Sequence, residues 1–70
     1  MIWLKAIREG VGLSQADVSK AANIAQASYS NIENGKRRPA VPVAKRIAAV
    51  LGFDWTRFYD DNDGKQDGRG

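Results

Sequence analysis

The sequence predicts an all-α fold of five short helices in one domain. Three observations carry this. Apolar residues recur at three- and four-residue spacing along most of the chain. Helix starts and stops punctuate it at short intervals, at Gly10 and Gly12, Ser14, Gly35, Gly52 and Asp54. At 70 residues with no cysteine, there is length for one economical core and no disulfide to staple it.

The first helix is predicted over 1–12, with Leu4, Ile7, Arg8 and Val11 on one face and Gly10 and Gly12 ending it. Arg8 on an otherwise apolar face requires a partner. Ser14 and Asp17 then form a capping box, in which each side chain bonds the other residue's backbone N–H, and Leu13 is placed to pack on Val18 as a staple. A second helix starts at Gln15 and carries a small apolar stripe of Ala16, Val18, Ala21 and Ala22. Asn23 tolerates the left-handed conformation of a tight turn.

The third helix, roughly 25–34, sorts its residues sharply. At about 100° per residue, Ala25, Tyr29 and Ile32 fall on one side with Ser28 at its edge. The opposite side collects Gln26, Ala27, Ser30, Asn31 and Asn34. A helix face turned only to water normally carries Lys and Glu; this one carries amides of the kind that pair bidentately with adenine. Gly35 ends the helix, and Lys36, Arg37 and Arg38 follow at once. Either face has a plainer reading, as a solvated helix surface and a solvated basic loop.

Residues 39–42, Pro-Ala-Val-Pro, are stiff and extended, and Pro42 suits a first helical turn. The fourth helix runs to about Leu51 with Val43, Ile47, Val50 and Leu51 inward, Lys45, Arg46 and Ala49 elsewhere, and Gly52 as its stop. Asp54 caps a short fifth helix over 55–59, with Phe53 and Phe58 as its staple. Residues 60–70, DDNDGKQDGRG, contain no apolar side chain and are predicted to be a disordered acidic tail.

Composition narrows the function. Without Cys or His the commonest metal ligands and the commonest general base are missing, so no catalytic site, metal site or cofactor is predicted. No apolar run approaches the ~20 residues of a membrane span, no secretory signal opens the chain, and a cytoplasmic location follows. Net charge is +3, unevenly spread: residues 1–59 carry nine basic and four acidic side chains, residues 60–70 two basic and four acidic. The folded part is the basic part, which favours a polyanionic partner.

Leu13-Ser14-Gln15 before the second helix, the small Ala22 before the turn, and Ile32-Glu33-Asn34-Gly35-Lys36 closing the third resemble the helix-turn-helix of the phage-repressor, Cro/C1 or xenobiotic-response-element, family of bacterial regulators. The likeness covers about residues 3–59. It implies a compact lambda-repressor-like domain over 1–59 that binds double-stranded DNA as a transcriptional regulator, most simply a repressor, with the third helix in the major groove. Gln26, Ala27, Ser30 and Asn31 would then touch bases, while Gln15, Asn34, Lys36, Arg37 and Arg38 would hold phosphates. It also implies an Arg8–Glu33 ion pair, with a phosphate contact as the rival use of Arg8, and a homodimer through the fifth helix. Trp3, Trp55, Phe58 and Tyr59 are many aromatics for so small a core, and serve either packing or such a contact. The chain departs from the family at Asn23, where glycine is usual, at Ala25, where a Ser or Thr cap is usual, and at Tyr29, where an aliphatic is usual and a hydroxyl at the core's edge is expected. The alternative is a protein-interaction module, such as an antitoxin or accessory component, with DNA contact secondary; the acidic tail and the aromatics favour it.

Overall fold

A computed structural model describes residues 1–60. Four α-helices, α1 (Ile2–Gly10), α2 (Gln15–Ala21), α3 (Gln26–Glu33) and α4 (Val41–Leu51), are followed by one 3₁₀ helix (Trp55–Tyr59). Beyond Asp60, the tail assigned to 60–70 lies outside the described residues. No helix among the described residues is long and apolar enough to cross a membrane.

Local chemistry sets each boundary. Ser14 Oγ accepts from the Asp17 backbone N–H and the Asp17 carboxylate accepts from that of Ser14, both at 3.0 Å, completing the capping box of α2. These bonds, backbone first, hold the Asp17 carboxyl below its ordinary value. α2 closes with Asn23 at φ +60°, while the Ile24 N–H reaches back to the Ser19 carbonyl at 2.9 Å and the Asn23 N–H to Lys20 at 3.1 Å. That is a Schellman closure with asparagine in the left-handed position. α3 ends the same way, with Gly35 at φ +77° and the Lys36 N–H on the Asn31 carbonyl at 2.9 Å.

The core gathers Leu4, Val18, Ala22, Tyr29, Ile32, Ala44, Ile47, Leu51 and Phe58, with Leu13 and Val43 packed against it from the side. α3 packs on α2 and α1, and α4 on α2 and the 3₁₀ helix. Each large apolar side chain fully buried in this way contributes ~1.5–3 kcal/mol, so a few residues carry most of the fold.

Several sequence expectations are corrected. α1 stops at Gly10, and the turn after it leaves Val11 51% exposed instead of on the buried face. On α2 the stripe keeps Val18 and Ala22 but not Ala16 or Ala21, both exposed; Ser19 is buried instead, its hydroxyl donating to the Ala16 carbonyl at 3.0 Å. Ala25 precedes the first turn of α3 as its N-cap and is exposed. Val41 already belongs to α4, whose inward side also includes Ala44 and Ala48. The fifth helix is a 3₁₀ helix: its Asp54 cap bonds the Thr56 N–H, only two residues on, and i to i+3 bonds follow from Arg57 to Asp54 and Asp60 to Arg57.

The aromatics largely pack on one another. Trp3, Phe53 and Phe58 form a triad with ring centroids 5.3–5.5 Å apart, and Trp55 meets Tyr59 at 6.0 Å. Arg57 covers Trp3 at 4.5 Å and Lys45 covers Trp55 at 5.1 Å, cation–π contacts that shield rings the core cannot enclose.

Candidate nucleic-acid interface

The outward surface of α3 is polar and uncharged. Gln26, Ala27, Asn31 and Asn34 are exposed and Ser30 is half-buried, with Asn34 Nδ2 loosely on Ser30 Oγ at 3.5 Å. Lys36, Arg37 and Arg38 are exposed in the loop that follows. The residues singled out for base contact therefore share one helix face, and the basic run lies at that helix's C-terminal end.

The only acid on α3, Glu33, is turned inward and is 4% exposed. Its carboxylate accepts from four donors: Arg8 Nε (2.7 Å) and Tyr29 Oη (2.8 Å) on Oε2, Arg8 Nη2 (3.1 Å) and Gln15 Nε2 (2.8 Å) on Oε1. Burial alone would push this carboxyl up, but the hydrogen bonds from Arg8, then Gln15 and Tyr29, together with the charge of Arg8, outweigh it and hold Glu33 at about 2 against an ordinary 4.5. Arg8 is raised, chiefly by its bonds to Glu33. The Tyr29 hydroxyl is pushed up by burial and then by its bond to the carboxylate.

Every lone-pair direction of the carboxylate thus has a donor, the condition under which a buried charge is tolerated. Arg8 adds a bond from Nη1 to the Leu13 carbonyl at 2.8 Å, and the N-terminal ammonium of Met1 donates to the Glu33 carbonyl. One side chain of α3 is consequently tied to α1, to the first residue of α2 and to its own preceding turn.

Two of these partners were not legible as such. Tyr29 is fully buried with its hydroxyl on Glu33, not at the core's edge; its i, i+4 spacing from Glu33 was the available signal. Gln15, expected at a phosphate, spends one amide N–H on Glu33, 18 residues away, and no local pattern announces that bond. Its second amide N–H and its carbonyl remain, at the N-terminus of α2. Arg38 also has a neighbour, its guanidinium lying 5.8 Å from the centre of the Tyr59 ring.

Two short helices joined by a tight turn, the second presenting an uncharged polar face and hiding its acid, define a helix-turn-helix domain. The chain belongs to the helix-turn-helix family of the Cro/C1 type, whose pattern matches residues 4–58. It is similar to YqaF of Bacillus subtilis (strain 168), a protein named as an uncharacterized HTH-type transcriptional regulator, at 52% identity over 59 residues that cover 84% of this chain and 78% of the relative. No solved structure gives a significant match.

Proposed function

We propose that this protein is a sequence-specific regulator of transcription, a repressor, that reads double-stranded DNA by laying α3 in the major groove. The observation that carries the reading is the sorting of charge on α3: the outer face offers Gln26, Ala27, Ser30 and Asn31, and the one acid is buried against Arg8. A major groove flanked by phosphates admits such a face without charge repulsion, and amides suit the donor–acceptor pair of adenine. Gln26 and Asn31 hydrogen-bond base edges, Ala27 meets a thymine methyl, and Ser30 reaches a base edge or phosphate. Gln15, Asn34, Lys36, Arg37 and Arg38 hold the backbone on either side.

The relative named as a transcriptional regulator supports the same role. Repression by occlusion of a promoter is the simplest mechanism for a domain of this size, acting in the cytoplasm. A single module reads few base pairs, so the protein is a homodimer on paired half-sites, joined through the 3₁₀ helix. The reading needs no cofactor and no catalytic group.

Selection of sites from a random duplex pool at near-physiological salt tests it. Two inverted half-sites ~10 base pairs apart are expected. A single short motif would remove the dimer, and no enrichment would remove the reading in favour of a partner-binding module. Gln26→Ala should relax specificity at one or two positions by ~1–3 kcal/mol; equal loss on every sequence would reassign Gln26 to a phosphate.

A further inference from the structure

The basic loop between α3 and α4 is held at both ends, and the second hold comes from the 3₁₀ helix. At its start, the Gly35 N–H bonds the Ile32 carbonyl at 3.1 Å, and the Lys36 and Arg37 N–H groups both bond that of Asn31, at 2.9 and 3.2 Å. These bonds fix the beginning of the loop to α3. Further on, Pro39 is buried and has no N–H, so its carbonyl is the one backbone group by which it can be held. The Tyr59 hydroxyl donates to that carbonyl at 2.6 Å, across 20 residues of chain. The Arg38 guanidinium lies 5.8 Å from the centre of the same ring. Tyr59 is itself fixed, with Trp55 edge-on to it at 6.0 Å and its neighbour Phe58 buried in the core. Lys36, Arg37 and Arg38, all exposed, lie between the two attachments.

We propose that Tyr59 is a positioning residue for duplex binding: through the Pro39 carbonyl and the Arg38 guanidinium it holds the loop in the form in which Lys36, Arg37 and Arg38 meet phosphates, without meeting the duplex itself. The proposal rests on the reading of that loop as a phosphate-holding surface. The hydroxyl bond is the separable part, since a phenyl ring at position 59 keeps the contact with Arg38. A single hydrogen bond contributes modestly, but a loop that binds in one form loses affinity in proportion to the fraction of molecules that leave that form. Phosphate contacts carry no sequence information, so the bond acts equally on every duplex.

The test uses the full chain at one low salt concentration. Y59F should weaken binding to a selected duplex and to a random-sequence duplex alike, about fivefold, with an unchanged circular dichroism spectrum and sedimentation coefficient. In the DNA-free protein it should shift the ¹H–¹⁵N backbone resonances of Lys36, Arg37, Arg38 and Ala40 and leave those of α1 in place. In a K36Q/R37Q/R38Q background the Y59F loss should disappear. A Tyr59 that only supports the fold would lower Tm in both backgrounds and leave affinity well below Tm unchanged, which would overturn the proposal. An equal loss with the three cations replaced would also overturn it, as would a changed sedimentation coefficient, since the residue would then act through a subunit contact. If the triple substitution itself fails to weaken duplex binding, the phosphate role of the loop fails and the proposal falls with it. If the triple substitution weakens binding while Y59F does not, the loop keeps its role and the proposal alone falls.

Discussion

Glu33 concentrates the chemistry of the domain in one carboxylate. Removing the charge from a buried pair strands its partner, at a cost of ~3–5 kcal/mol. Glu33→Gln is therefore expected to cost about 3 kcal/mol near pH 7, a large share of the stability of a domain this small. Because the folded Glu33 sits at about 2 and its ordinary value is 4.5, its contribution is complete above about pH 5 and is lost as pH falls toward 2. Urea titrations of both proteins between pH 6 and pH 2.5 should show the gap closing as acid is added. A gap that stays constant would mean that the Glu33 charge is not what stabilises. Tyr29→Phe keeps the ring in the core but deletes one donor to the same carboxylate, so a loss of ~1.5–3 kcal/mol is expected. Acid unfolding should then begin at higher pH, because a bond favouring the ionised form is gone; an unmoved acid limb would show that the hydroxyl is dispensable to Glu33.

At the level of elements, α3 shares with α1 and α4 the lack of a side-chain cap at its N-terminus. Ala25 has the extended backbone of an N-cap, φ −67° and ψ 144°, but no side-chain acceptor, so the first turn of the helix lacks a cap bond. Ala25→Ser supplies one at no backbone cost and should stabilise by ~1 kcal/mol, raising Tm by about 4–8 °C in a domain of this length. Calorimetry showing no rise would mean that water already satisfies those N–H groups. The contrast with α2 explains what sequence can and cannot disclose. The capping box of Ser14 and Asp17, the left-handed Asn23 and the Asp54 cap were legible because each is settled within three residues. The burial of Ser19, Ala44 and Ala48 was not, because small side chains carry little periodic signal and are placed by the helices they face. The amide face of α3 was legible from spacing, whereas the inward bond of Gln15 depends on where α2 and α3 meet.

Over the whole molecule the basic side chains divide by what already occupies them. Residues 1–59 carry nine cations against four acids, yet Arg8 is bound to Glu33, Arg57 lies over Trp3 and Lys45 over Trp55. These three hold the fold together. Lys36 and Arg37 extend from the exposed loop behind α3, whereas Lys5, Lys20 and Arg46 are exposed singly on α1, α2 and α4, so a polyanion meets either the local charge of the loop or the general net charge. Salt dependence of duplex binding separates the two cases, since each phosphate neutralised adds roughly −0.9 to the slope of log K against log salt. Lys36→Gln is expected to flatten the slope by about 0.9 and Arg37→Gln by the same amount, while Lys45→Gln, equal in charge change, leaves it unaltered. If all three substitutions flatten it alike, the duplex senses only net charge and the loop has no special place in the interface; if Lys45→Gln alone does so, DNA approaches the face of α4 and not that of α3.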